Sequence, residues 1–411
     1  MIFFRRYLVF VYIISLFVDM FNGYCRMFLN IEPVFPLIYK GAIILFSLPY
    51  VLRQKKILLC FLIFALILSI DMVSWVVHSH LEGLTVLFNE LIRLVYPFFV
   101  FSVVWYYRNI TNKDELLHYA MYYGLFLSTS VCVTAFLGVG ANSYGDDFGY
   151  GTKGLFTAGN DLSLSILLSF CICMYYLMQK GTIKYVLYSL PFIIVSLLIG
   201  STAIMIGTIA ILSILTLIPF VYRYQYSKTF YLFRYALLCL GLPLIIYLMY
   251  RITQTDSYTM NKFNVHKLLA GSARKGLADA YYAFSSTFDT ADMIFGVGPE
   301  KLYYGVGYIF FGTIEQKQIE VDHLTLWGFY GYFLGTLILL YPLPALINYM
   351  RRWTLLSIWM VIALLLFFFH GIFAGHAYTS TTACIPLMMI LIASIYQDNE
   401  YNNNIIYDEQ Y

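Results

Sequence analysis

The sequence predicts an all-α polytopic integral membrane protein, with about twelve transmembrane helices and one large outward loop between spans 9 and 10. Three observations lead there. Hydrophobic residues make up 61% of the chain and charged residues only 11%, against roughly 25% charged in a soluble domain. A water-soluble core cannot hide that much apolar surface, so lipid is the solvent for most of it. Apolar stretches close to the roughly 20 residues needed to cross a bilayer recur along the chain. Basic residues then fall at every second boundary between those stretches.

The expected spans lie near 7–23, 34–52, 57–77, 84–105, 116–138, 161–179, 185–200, 202–222, 235–250, 322–345, 354–373 and 379–396. The stretch Phe3 to Phe21 opens with Arg5 and Arg6, as a signal peptide would. It lacks a small-x-small cleavage site, and further spans follow, so it reads as a retained first helix. Span 185–200 is short, and 84–105 carries Glu90 and Arg93. The 39 Tyr and 35 Phe residues suit helix ends, because aromatic rings favour the membrane–water boundary.

Arg5/Arg6, Arg53/Lys55/Lys56, Arg108/Lys113, Lys180/Lys184, Arg223/Lys228/Arg234 and Arg351/Arg352 mark alternate boundaries. The short connections on the other side hold only Arg26 and Lys153. The positive-inside rule therefore places both termini in the cytoplasm, and an even number of spans agrees. The chain divides into helices 1–9 over residues 1–250, a large outward loop over 251–321, helices 10–12 over 322–396, and a polar cytoplasmic tail over 397–411. Within the loop, Ala273–Phe288 reads as an amphipathic helix, followed by the Gly-rich turn Phe295–Pro299. Long structured loops are usually functional. No internal repeat of the kind that builds a transporter's inverted halves is visible.

Composition also excludes. A formal charge of +3 without a Lys/Arg tract or a zinc-type spacing gives no footprint for nucleic acid. The seven cysteines are scattered without a CxxC pair and read as single packed thiols. There is no Walker loop, Rossmann fingerprint, HExxH, GxSxG or DxD. Any reaction must then use a lipid-side or externally supplied substrate without ATP, and no cofactor or metal is expected.

Four places could carry chemistry. Arg251, Lys262, Lys267, Arg274 and Lys275 gather in the outward loop. They form either a solvated basic face or a site for an anionic headgroup, because guanidinium forks onto phosphate oxygens through two bonds. Arg274 is the stronger of these candidates. Glu320-Val-Asp322-His323 opens span 10 at the outer boundary, where ionisable groups can act as acid and base; the plainer reading has Asp322 capping the helix. Asn160, at the start of span 6, is an N-cap candidate or a direct ligand. His376, in the turn before the last span, is a further candidate. The intramembrane charges Asp19, Lys40, Asp71, Glu90 and Arg93 must face protein or water, and Glu90 can pair with Arg93 at i, i+3. Gly328, Gly331 and Gly335 recur at helical spacing, as a smooth face for close helix packing would.

Taken in order, Ile294-Phe-Gly-Val-Gly-Pro299, Glu320-Val-Asp-His323 and Gly328-Phe-Tyr-Gly331 resemble the C-terminal signature of the O-antigen polymerase/ligase superfamily. Arg274 stands about twenty residues before the "FGvG" turn, as an Arg often does in that family. Gly154-Leu-Phe-Thr-Ala-Gly-Asn160 resembles its "G-f-x-x-x-N" segment, and Gly200-Ser-Thr-Ala-Ile204 its "G-S-R" segment. In the latter the family's Arg is Thr202, so Arg251 is the replacement the sequence offers. The motifs cover about residues 150–345, and the topology covers the chain.

The resemblance implies a metal-independent, GT-C-like glycosyltransferase at the periplasmic face of the bacterial inner membrane. Its partners would be an undecaprenyl-pyrophosphate-linked glycan donor and acceptor and membrane lipids, with a chain-length regulator as an open addition. Arg274 and Arg251 would neutralise the leaving pyrophosphate, with Asn160 and His376 as further substrate-binding residues. His323 or Glu320 would serve as base, and Asp322 would orient His323. The E-x-D form of the motif, without a His-Asn pair, favours a polymerase over a ligase. A lipid-linked oligosaccharide flippase is the rival of another class, although its loops would be short. A purely structural subunit would leave the outward Arg, Glu and His residues unexplained.

Overall fold

The computed structural model describes residues 2–31, 33–78, 83–143, 151–222, 226–241, 243, 247, 273–313 and 315–396. Arg251, Lys262, Lys267, the side chain of Asp71, much of the expected span 235–250 and the tail 397–411 lie outside the described residues. The chain is an all-α membrane protein, about 80% helical, with no strand among the described residues.

The first half contributes α1 (Phe3–Leu29), α2 (Phe35–Leu52), α3 (Lys55–His78), α4 (Gly83–Tyr106) and α5 (Lys113–Phe136). Then come α6 (Gly159–Lys180), α7 (Ile183–Ile199), α8 (Thr202–Val221) and α9 (Lys228–Ala236). The long loop supplies α10 (Ala273–Ser285), α11 (Thr290–Phe295) and α12 (Gly298–Phe311). The chain closes with α13 (Asp322–Leu340), α14 (Leu343–Met350), α15 (Leu355–Phe373) and α16 (Cys384–Ala393).

Helix ends follow local chemistry. Side-chain oxygens of Asn112, Ser201, Ser227 and Thr354 accept from backbone N–H groups at the starts of α5, α8, α9 and α15, satisfying donors the helix itself leaves open. Left-handed glycines stop α6 at Gly181 and α7 at Gly200, a conformation that a Cβ disfavours.

Eight helices among the described residues are long and apolar enough to cross a membrane, where the sequence suggests twelve. Ile183–Ile199 and Cys384–Ala393 are apolar but shorter. The last expected span, 379–396, keeps ten helical residues. Its start is drawn instead into a turn held by a side chain of another helix: Thr382 donates to Asp19 at 3.5 Å.

The core sits around α6, which is 94% buried over its membrane window and is packed by α5, α7, α8, α15 and α16. A helix wrapped on all sides by other helices needs no polar face. The basic connections collect at one end of this bundle. There Arg5 Nε lies 3.5 Å from Glu115, Tyr396 donates to the Arg108 carbonyl at 2.8 Å, and Arg352 donates to the Tyr396 carbonyl at 2.5 Å. Lys184 reaches the Tyr122 hydroxyl at 3.4 Å, and Lys180 lies over the Tyr176 ring.

The glycines 328, 331 and 335 do not form a continuous helix face. The helix α13 breaks at Gly331 (φ 73°, ψ 171°), and backbone replaces a helix as its neighbour. Val297 N–H donates to the Gly328 carbonyl at 2.8 Å. A Cβ on Gly331 would stand 2.1 Å from the Ile294 carbonyl oxygen, and one on Gly296 2.3 Å from that of Phe329. The Gly-rich turn and the kink thus interlock main chain to main chain, and this fixes the long loop on the membrane helices.

Candidate functional site

A polar cavity of about 450 Å³ opens at the end of the bundle opposite the basic connections. The alternating helices require this placement: α6, α8 and α13 begin there, and α7 and α15 end there. Arg274, Glu320, Asn160 and His376, named from the sequence, line it together with Arg93, Lys153, Asp161 and Thr202. Ser143, Ser201, Gln318 and Thr379 complete its polar wall.

Arg274 is the second residue of α10, whose apolar face buries Leu277, Ala280 and Tyr281 against α12 and α13. This packing gives the guanidinium a firm base. Arg274 Nη2 lies 3.3 Å from Glu320 Oε2, with both side chains about two-fifths exposed. At that exposure the pair adds little stability, and both groups remain open to a ligand. Arg274 Nε is buried without a hydrogen-bond partner among the described residues.

Asn160 does not cap α6. Ala158 holds that position without a side-chain bond, because the helix starts earlier than the sequence suggests. Asn160 Nδ2 instead donates to the Ala374 carbonyl at 3.0 Å, tying α6 to the turn after α15. Asp322 does not cap its own helix either: Val321 is the N-cap residue, and Asp322 is the first helical residue. Its two carboxylate oxygens accept from the backbone N–H groups of His376 (2.5 Å), Ala377 (2.7 Å) and Tyr378 (3.3 Å). The His323 ring meets the edge of Trp327, with centroids 5.3 Å apart, and His323 is not among the residues lining the cavity. The structure therefore joins Asp322 to the 376–378 turn, and it brings Glu320, not His323, to Arg274.

Two further cations complete the cavity. Arg93 donates to Glu90 at 3.0 Å, the pairing their i, i+3 spacing suggests, and its guanidinium also lines the cavity. Lys153 reaches it from the loop between α5 and α6. That loop is pinned by Thr152 N–H to the Leu198 carbonyl (2.8 Å) and by Lys153 Nζ to the Thr157 carbonyl (2.9 Å). The sequence held a signal for Lys153, one of two basic residues on the side otherwise poor in them, but alone it pointed to no partner. Thr202 lines the same cavity as Arg274. Arg93 and Lys153 supply charge there. Among the described residues no three His, Cys, Asp or Glu side chains are grouped as a metal ion would require.

Burial lowers the pKa of Lys153 below that of a free lysine, since the cation gives up hydration. The charged form is present below that lowered pKa and is lost as pH rises through it. The attraction of the cavity for a probe anion such as inorganic phosphate, measured by calorimetry on the purified protein, is therefore expected to weaken on the alkaline side. Lys153→Arg, which stays charged, should retain affinity there. An alkaline limb identical in the two proteins would remove Lys153 from the binding surface.

A second, apolar groove of about 730 Å³ runs between α3, α4, α13, α14 and α16. Leu94, Phe98, Leu337, Ile338 and Leu391 are among its walls. Arg93 and Leu94 are sequence neighbours, as are Thr379 and Tyr378, and in each pair one lines the polar cavity and the other the groove. The two spaces are thus adjacent on two separate elements.

The chain matches no protein-family model, no curated protein and no solved structure.

Proposed function

We propose that this multi-pass membrane protein is a glycosyltransferase that polymerises undecaprenyl-pyrophosphate-linked repeat units into O-antigen or a related surface polysaccharide. The observation that carries the reading is the meeting of Arg274, Glu320, Asn160 and His376 in one polar cavity beside an apolar groove. In the sequence these residues lie in four separate segments. A lipid-linked sugar has the same two parts, an anionic head and a long apolar tail.

In this reading the chain spans the inner membrane about twelve times in a GT-C-like arrangement. Both termini lie in the cytoplasm and the cavity faces the periplasm. The end of the bundle bearing Arg5, Arg108, Lys180 and Arg352 is then cytoplasmic, as the positive-inside rule asks. Arg274, Arg93 and Lys153 neutralise the pyrophosphate as its charge develops. The apolar groove takes the prenyl chain, and the acceptor sugar enters beside Glu320 and His376. Holding donor and acceptor in line removes much of the entropic barrier.

The test is genetic and biochemical. A deletion strain is expected to attach single repeat units to lipid A–core, so the lipopolysaccharide ladder collapses to one band above bare core. Bare core, with polymer accumulating on the lipid carrier, would instead mark a ligase. Absence of both capped core and periplasmic polymer would mark a flippase. Purified protein given one lipid-linked repeat unit should form a ladder without ATP.

A further inference from the structure

The short turn after α15 is gripped from several sides. Asn160 of α6 holds the Ala374 carbonyl, and Asp322 of α13 accepts three successive N–H groups at 376–378. Gly375 (φ +72°) is pressed on the Glu320 backbone, where a Cβ would lie 2.6 Å from its carbonyl. The product of this grip is His376, in the left-handed region at φ +62°, a rare conformation for a residue with a Cβ. Asp322 is only 4% exposed; its charge is compensated by three backbone donors, and it is closed off from the cavity. A buried carboxylate so fully used by one turn is a device for holding that turn's shape.

We propose that His376 is the general base of the transfer and that Asp322 is the residue that positions it. The inference deepens the glycosyltransferase reading and rests on it. Of the other candidate bases, Glu320 is paired with the Arg274 guanidinium at 3.3 Å, and His323 lies against Trp327 and is not among the residues lining the cavity. The charged and titratable groups around His376 are Asp161 of α6, Asp322 of α13, His370 of α15, and Glu320, Arg274, Arg93 and Lys153 across the cavity.

In the step, an imidazole nitrogen takes the proton of the acceptor hydroxyl. The oxygen's electron pair forms the new bond to the donor's anomeric carbon. The bond from that carbon to the pyrophosphate oxygen breaks with its electrons on the leaving undecaprenyl pyrophosphate, and the imidazolium then releases its proton to solvent.

The test uses purified full-length protein, one lipid-linked repeat unit, and the variants His376→Gly, His323→Ala, Asp322→Asn and the double variant His376→Gly/Asp322→Asn. Glycine at position 376 keeps the positive φ without strain and leaves room for added imidazole. His376→Gly should lower kcat about 10²–10⁴-fold, with KM little changed and activity partly restored by imidazole. His323→Ala should remain close to wild type. Asp322→Asn should lower kcat in the wild-type background but add nothing to His376→Gly, because one acts through the other. If His376→Gly elongates within a few-fold of wild type, His376 is not the base. If Asp322→Asn costs as much in both backgrounds, Asp322 serves the fold alone and the positioning role is wrong. Wild-type protein that forms no ladder would overturn the glycosyltransferase reading and this inference together.

Discussion

Arg274→Ala is expected to abolish chain elongation, with a loss of at least about 10²–10³-fold, the scale of removing one preorganised donor at a developing charge. The substitution removes both the guanidinium that faces Glu320 at 3.3 Å and the buried Nε that has no partner among the described residues. It also leaves Glu320 without its guanidinium partner in the cavity that the proposed reading assigns to the pyrophosphate. Arg274→Lys should recover only part of the rate, because an ammonium restores charge without the planar fork. The protein should still accumulate, since α10 is held by Leu277, Ala280 and Tyr281 and a part-exposed ion pair contributes little to stability. Ladder length on gels at matched protein level, with kcat/KM on purified material, decides the matter. Normal chains from the alanine variant would make Arg274 a surface residue.

Gly331→Ala should act on the fold itself. At φ 73° and ψ 171° only glycine is at ease, and a side chain there costs about 1–3 kcal/mol in backbone strain. The added Cβ would also stand 2.1 Å from the Ile294 carbonyl oxygen. That clash with rigid main chain adds about 1–3 kcal/mol more. Together these are a large share of the roughly 5–15 kcal/mol that holds a typical protein folded. We expect low membrane accumulation by immunoblot and a lowered aggregation temperature. Gly312→Ala is the control, because its φ is also positive (73°) but its Cβ would meet open space. At φ 73° and ψ 7° it lies in the ordinary left-handed region, where a side chain costs only about 1–2 kcal/mol, and it should lose no more than that. Equal behaviour of the two variants would show that the interlock of the 294–297 turn with the α13 kink carries no stability.

What the sequence determined by itself was the solvent and the class of fold. A chain 61% hydrophobic and 11% charged must lie in lipid, and in lipid the backbone must satisfy its own hydrogen bonds, so helices follow. The alternation of basic boundaries likewise anticipates the clustering of Arg5, Arg108, Lys180 and Arg352 at one end. Local spacing was enough for the Glu90–Arg93 pair, because i and i+3 are neighbours on any helix. The tertiary structure decided what lies beyond the reach of a local pattern. Asn160 and Asp322 look like helix caps in sequence because their immediate neighbours suggest it. Their real partners, Ala374 and residues 376–378, are separated from them by 214 and 54–56 positions. Gly328, Gly331 and Gly335 have helical spacing, but the backbone of 294–297 approaches so closely that the helix breaks at Gly331. Arg93 and Lys153 become part of one cavity with Arg274 only when α4, the loop before α6, and α10 are packed together. Charge in a low-dielectric space acts across distance rather than along the chain, and only the packed helices determine which charges share that space.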